Sequence, residues 1–143
     1  MMAVMAVSLT WPATAGGGEG TPLRAENAWI RAAPPGVPVL AGYMTLINDS
    51  EKNIAIIGAG SPGFRMIEMH RSVSESGMAR MVEQDTLTVP AHGRLMLEPN
   101  GLHLMLMMPI VAVNTGDAVI LVLQLEDGQS ISVKAIVRTP GGN

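Results

Sequence analysis

The sequence predicts an all-β fold: a single β-sandwich with Greek-key connections. Three observations predict it. Sixteen glycines and ten prolines in 143 residues supply turn chemistry throughout. The apolar segments between them have strand length, and several alternate apolar with polar. No segment sustains a helical period.

The elements follow in order. "ENAWIRAAPPGVPVLAGYMTLIND" reads as a short strand, a Pro-rich loop over residues 34–38, and a strand near 40–47, closed by the turn residues Asn48-Asp49-Ser50. "NIAIIGAG" is a strand ended by Gly58, Gly60 and Ser61-Pro62-Gly63. "RMIEMHRSV" and "MARMVEQ" flank the polar turn 74–77 as a hairpin. Residues 94–98 and 102–107 are strands around Pro99-Asn100-Gly101. "AVILVLQLE" and "SISVKAIVR" meet at Asp127-Gly128, a strong short-range hairpin signal. That makes about eight strands in one domain, residues 25–138, with a frayed tail at 139–143.

Composition narrows the function classes. Hydrophobic residues are 48% but aromatics only 3%, so aliphatics and Met must fill the core. The net charge of -3 and the lack of any Lys/Arg block give no footprint for nucleic acid or an anionic membrane. The absence of Cys excludes disulfides, thiolate metal sites and thiol catalysis. At the start, "MMAVMAVSLTWPATA" is an apolar run ending in Ala13-Thr14-Ala15, the small-x-small pattern of a cleavage site, although no Lys or Arg precedes it. Residues 1–15 are therefore expected to be a signal peptide and 16–24 a flexible mature start at Gly16. No other segment approaches the ~20 apolar residues of a membrane span.

All three histidines and eight of the twelve methionines lie between Met66 and Met108. Met is an adaptable core filler, and that accounts for Met44, Met66, Met69 and Met96. It does not account for "LHLMLM", where His103 and Met105 share a face opposite Leu102, Leu104 and Leu106. With a four-residue hairpin loop, His70 falls opposite Met81, although this register also sets Glu68 against Glu83 and Arg71 against Arg80. Two such N/S pairs could make one N₂S₂ site. Neutral thioether sulfur suits Cu(I), whereas Zn²⁺ takes Cys, His or carboxylate and the hard cations take oxygen. His92, in the turn "PAHGR", has no sulfur neighbour and reads as an exposed turn residue. Met107 reads as a hydrophobic rim.

The spacing His70-x₁₀-Met81-x₂₁-His103-x-Met105, with "AWIRAAPPG", "GYMTLIND" and "PNGLHLMLM" around it, resembles the signature of the periplasmic copper chaperones of the PCu(A)C (DUF461) family over residues 25–138. The resemblance implies a cupredoxin-like β-sandwich, periplasmic or otherwise exported. His70, Met81, His103 and Met105 would hold one Cu(I) for delivery to the Cu(A) centre of cytochrome c oxidase. It also implies the oxidase Cu(A) domain, and a thiol-bearing copper assembly protein, as partners. Arg71 departs from the acidic residue common after the first ligand in that family.

Other functions fit less well. A blue-copper electron-transfer site needs a Cys ligand, and the three histidines leave no Ser-His-acid relay. A copper oxygenase with an N-terminal His is inconsistent with a start at Gly16. The expectation is therefore a non-enzyme. The alternative that survives is a copper store or copper-resistance protein without a dedicated acceptor.

Overall fold

The computed structural model describes residues 21–34 and 36–139. The expected signal peptide, residues 16–20 and the tail from 140 lie outside the described residues. Ten strands and no helix make up the described residues. They are β1 (Leu23–Arg31), β2 (Val39–Asn48), β3 (Ile54–Gly60), β4 (Phe64–Glu75), β5 (Met78–Glu83), β6 (Leu87–Val89), β7 (Arg94–Leu97), β8 (Leu102–Pro109), β9 (Ala118–Leu125) and β10 (Ser130–Arg138). Every segment expected as a strand is one. The named segments supply nine of the ten, where about eight were expected, and the tenth is β6, whose three residues are too short to carry a periodic pattern.

The strands run in the order β5-β4-β8-β7-β2-β1-β10-β9-β3-β6. Pairings of β3 with β4 and of β8 with β2 wrap this sheet round on itself. Many neighbours are distant in sequence, such as β4 beside β8 and β1 parallel to β10. These are the crossing connections of a Greek-key, cupredoxin-like sandwich. The enclosed core is aliphatic, as the composition required. Leu102, Leu104 and Leu106 point inward, as do Ile131, Val133, Ala135 and Val137 on β10. Each large aliphatic buried this fully contributes about 1.5–3 kcal/mol. Met44 and Met69 join them, but Met66 and Met96 are half-exposed, against expectation. Strand parity explains the difference: Ile67 and Met69 share the inward parity of β4 and Met66 has the outward one. Likewise Met96 lies one residue out of phase with the buried Leu97.

A bulge in β1 decides which face Trp29 takes. Leu23 and Ile30 are both buried although seven residues apart, which simple alternation forbids. The register against β2 shifts between Glu26 and Trp29, with Asn27 at positive φ, and this extra residue resets the parity. Trp29 is thereby turned to the outer face, paired with Tyr43. At the other end of β2, the buried Asn48 satisfies the predicted turn. Its amide donates to the carbonyls of Lys52 (2.8 Å) and Val89 (3.0 Å), and its oxygen accepts from the Ser50 N–H and hydroxyl.

Candidate metal centre

The four residues singled out by spacing come from β4, β5 and β8, three adjacent strands. His70 and His103 are direct partners across the antiparallel β4–β8 ladder, and Glu68 is the partner of Met105. Because side chains alternate, Glu68, His70 and Ser72 share one face with His103 and Met105. That face points away from the leucine core. Met107, one step further along it, is half-buried opposite Val39 and Met66, a rim position as expected.

The hairpin corrects one expectation. His70 is not opposite Met81; it is opposite Glu83, and Met81 is opposite Ser72. The loop is the two residues Ser76-Gly77, both at positive φ (51° and 79°), a turn whose twist matches that of the strands it joins. Shortening the loop by two residues keeps parity, so Met81 stays on the His70 face, as a diagonal neighbour. It also removes the two like-charge pairs that the longer loop imposed. Arg71 pairs with Val82, and Arg80 with Val73.

Side-chain chemistry on this face is uneven. The rings of Trp29, Tyr43, His103 and His70 form a row across β1, β2, β8 and β4, with centroid separations of 4.8, 6.4 and 6.0 Å. His103 lies inside this row and is 3% exposed. Its Nδ1 lies 3.0 Å from the Gly101 carbonyl, so that nitrogen carries the proton and donates. His70 Nε2 lies 2.8 Å from Glu68 Oε2. The two remaining ring nitrogens, His70 Nδ1 and His103 Nε2, are buried without any protein hydrogen-bond partner. They are the only buried side-chain nitrogens or oxygens of that kind among the described residues. A buried unpaired polar atom costs about 1–3 kcal/mol, so two on facing histidines call for a ligand. The thioethers complete the chemistry. Met105 is half-buried, and Met81 is 55% exposed with its sulfur accepting from the Ser72 hydroxyl at 3.4 Å. Neutral imidazole and thioether donors on one face fit a soft monovalent ion.

Met81, Met105 and His103 line one side of a groove of about 460 Å³. Segment 31–34 and the turn at Pro99-Asn100 form its other sides. His92 lies elsewhere, exposed in its turn. Spacing alone missed four neighbours: Glu68, Ser72, Glu83 and Tyr43. Glu68 and Ser72 were detectable, each being two residues from His70 on an alternating strand. Glu83 was detectable in the same way, two residues from Met81, whereas Tyr43 arrives only through pairing.

The family described as "Putative lipoprotein LpqE-like" has a model that matches residues 23–137. "Putative lipoprotein Lxx21020" of Leifsonia xyli subsp. xyli is 27% identical over 138 residues, covering 96% of this chain and 82% of its own. The solution structure of CuI-DR1885 from Deinococcus radiodurans is 34% identical with a TM-score of 0.64, covering 89% of this chain and 83% of that one. The copper-bound PCuAC domain from PmoF2 has a TM-score of 0.71 at 23% identity, with coverage of 87% and 97%, and is similar in fold.

Proposed function

We infer function from one premise: the chain belongs to the LpqE-like family of PCu(A)C domains. It is a copper-binding chaperone domain and not an enzyme. His70, His103, Met81 and Met105 hold one Cu(I) as cargo. The observation that carries this reading is the pair of orphaned imidazole nitrogens on two histidines that are partners across the β4–β8 ladder, on the sheet face that also carries two methionines. The relative CuI-DR1885 from Deinococcus radiodurans supports the choice of metal and oxidation state. The relatives described as lipoproteins support export, and no helix among the described residues is long and apolar enough to cross a membrane.

Delivery follows from the donor set. Two imidazoles and two thioethers bring no formal negative charge to the ion, so Cu(I) keeps its full positive charge. A thiolate acceptor offers negative charge and softer sulfur, and transfer to it runs downhill. The Cu(A) domain of cytochrome c oxidase is such an acceptor, and a thiol-bearing assembly protein is another. The groove beside Met81 gives the incoming sulfur its approach.

The test is a Cu(I) titration of apo-protein against a competing chelator, which should give one ion per chain. His103→Ala should abolish tight binding and His92→Ala should leave it unchanged. Unaltered affinity in both His103→Ala and Met81→Ala would refute the ligand set. Copper-loaded protein is then mixed with excess reduced apo-Cu(A) domain. Transfer supports the chaperone, and copper retained at equilibrium identifies a store.

A further inference from the structure

We propose that Glu68 is a positioning residue that selects which nitrogen of His70 meets the metal. His70 binds through Nδ1 and His103 through Nε2, so the facing imidazoles use opposite nitrogens. This rests on the copper reading above and adds to it a role for a residue outside the ligand set.

The geometry carries the assignment. Glu68 precedes His70 by two residues on one strand face, which sets its carboxylate beside the ring. Oε2 stands 2.8 Å from Nε2, so Nε2 carries the proton and donates to it, leaving the Nδ1 lone pair free. That Nδ1 is one of the two buried nitrogens with no protein partner. Turning the ring over would put carbon against the carboxylate and forfeit a charge-assisted hydrogen bond. His103 is held in the opposite sense. Its Nδ1–H donates to the Gly101 carbonyl at 3.0 Å, which also accepts the Ser72 N–H and so is fixed by the β4 backbone. Its Nε2 is the other orphan.

The two anchors differ in chemistry. A backbone carbonyl is neutral, whereas Glu68 supplies an anionic acceptor next to a ligand set that has none. A carboxylate behind a ligating imidazole both orients the ring and raises its basicity, and loss of such a partner typically weakens metal binding about ten- to a hundredfold. Glu68→Ala removes both effects. Glu68→Gln keeps an acceptor for Nε2–H and removes only the charge.

The experiment combines Cu(I) affinity by chelator competition with ¹⁵N NMR of the histidine rings in the full copper-loaded protein. In the wild type, His70 Nδ1 and His103 Nε2 should show metal-bound shifts, and the other two nitrogens should be protonated. Glu68→Ala should bind Cu(I) roughly ten- to a hundredfold more weakly, with His70 losing its single tautomer. Glu68→Gln should keep the nitrogen choice and recover part of the affinity. A wild-type His70 bound through Nε2 overturns the inference whether or not the variants fold. So does a Glu68→Ala variant within about threefold of wild type while His70→Ala loses binding. If His70→Ala and His103→Ala both bind as wild type, the copper reading itself has failed.

Discussion

Replacing His103 by Leu should make the copper-free protein more stable while removing its function. The balance turns on the two ring nitrogens. Nε2 is buried without a partner, which costs about 1–3 kcal/mol. Nδ1 makes one hydrogen bond to Gly101, worth about 0.5–1.5 kcal/mol net. The Gly101 carbonyl keeps its Ser72 N–H donor when that bond is lost. Leu is close in bulk to imidazole, and the Tyr43 ring flanks the position with its centroid 6.4 Å from that of His103. The balance favours the variant by roughly 1 kcal/mol, a rise of about 4 °C in Tm for a domain of this size. Copper reverses the order. At free Cu(I) a hundredfold above Kd, the wild type gains about 2.7 kcal/mol, or roughly 10 °C, and the variant gains nothing. The assay is thermal unfolding of both proteins with and without chelator-buffered Cu(I). An apo-variant less stable than wild type by 1 kcal/mol or more, on the scale of one lost hydrogen bond, refutes the claim that the buried nitrogen is a cost. A copper-induced shift that survives in the variant refutes its role as ligand.

Asn48→Ala should act in the opposite way. It removes the amide donor to the Val89 and Lys52 carbonyls and the acceptor of the Ser50 N–H and hydroxyl, and should lower stability by about 2–4 kcal/mol in denaturant titration while leaving the copper stoichiometry at one. Mass spectrometry of the protein recovered from its native cell should show a chain beginning at Gly16; a full-length chain inside the cytoplasm would remove the argument for export.

Strand existence was legible wherever one face is buried. The alternation of β8 and β10 shows directly in Leu102, Leu104, Leu106 and Ile131, Val133, Ala135, Val137, because each inward side chain meets the core. The tip of the β4–β5 hairpin differs from the sequence expectation for the converse reason. Residues 74–80 are exposed on both faces, so no pattern marks where the strands end, and the polar Ser74 and Glu75 look like loop. The facing of His70 and His103, 33 residues apart, is a non-local pairing that spacing alone does not show. Nor could alternation foresee the bulge that turns Trp29 outward, since it depends on one unpaired residue. Local chemistry marked the candidate donors, and topology brought in Tyr43.

The same topology would divide the labour among the four proposed donors. β4 and β8 are each paired on both sides, so His70 and His103 sit on backbone that cannot move without breaking two ladders. His103 is further locked by its ring row and by Gly101. β5 is an edge strand paired only with β4, and its Met81 is the most exposed of the four. Motion of an exposed edge costs less than motion of a buried central strand. In the proposed copper site the imidazoles would therefore be the fixed ligands, and Met81 the donor free to leave when an acceptor sulfur arrives. Its removal should cost copper affinity about tenfold, against a hundredfold or more for His103→Ala, a difference of at least 1.4 kcal/mol. In the apo-protein, the Met81 methyl should also be more mobile on the nanosecond scale than that of Met105, as measured by ¹³C-methyl relaxation. Equal losses in the two variants, together with equally rigid methyls, would mean that all four donors are held alike and that release requires the sheet itself to open.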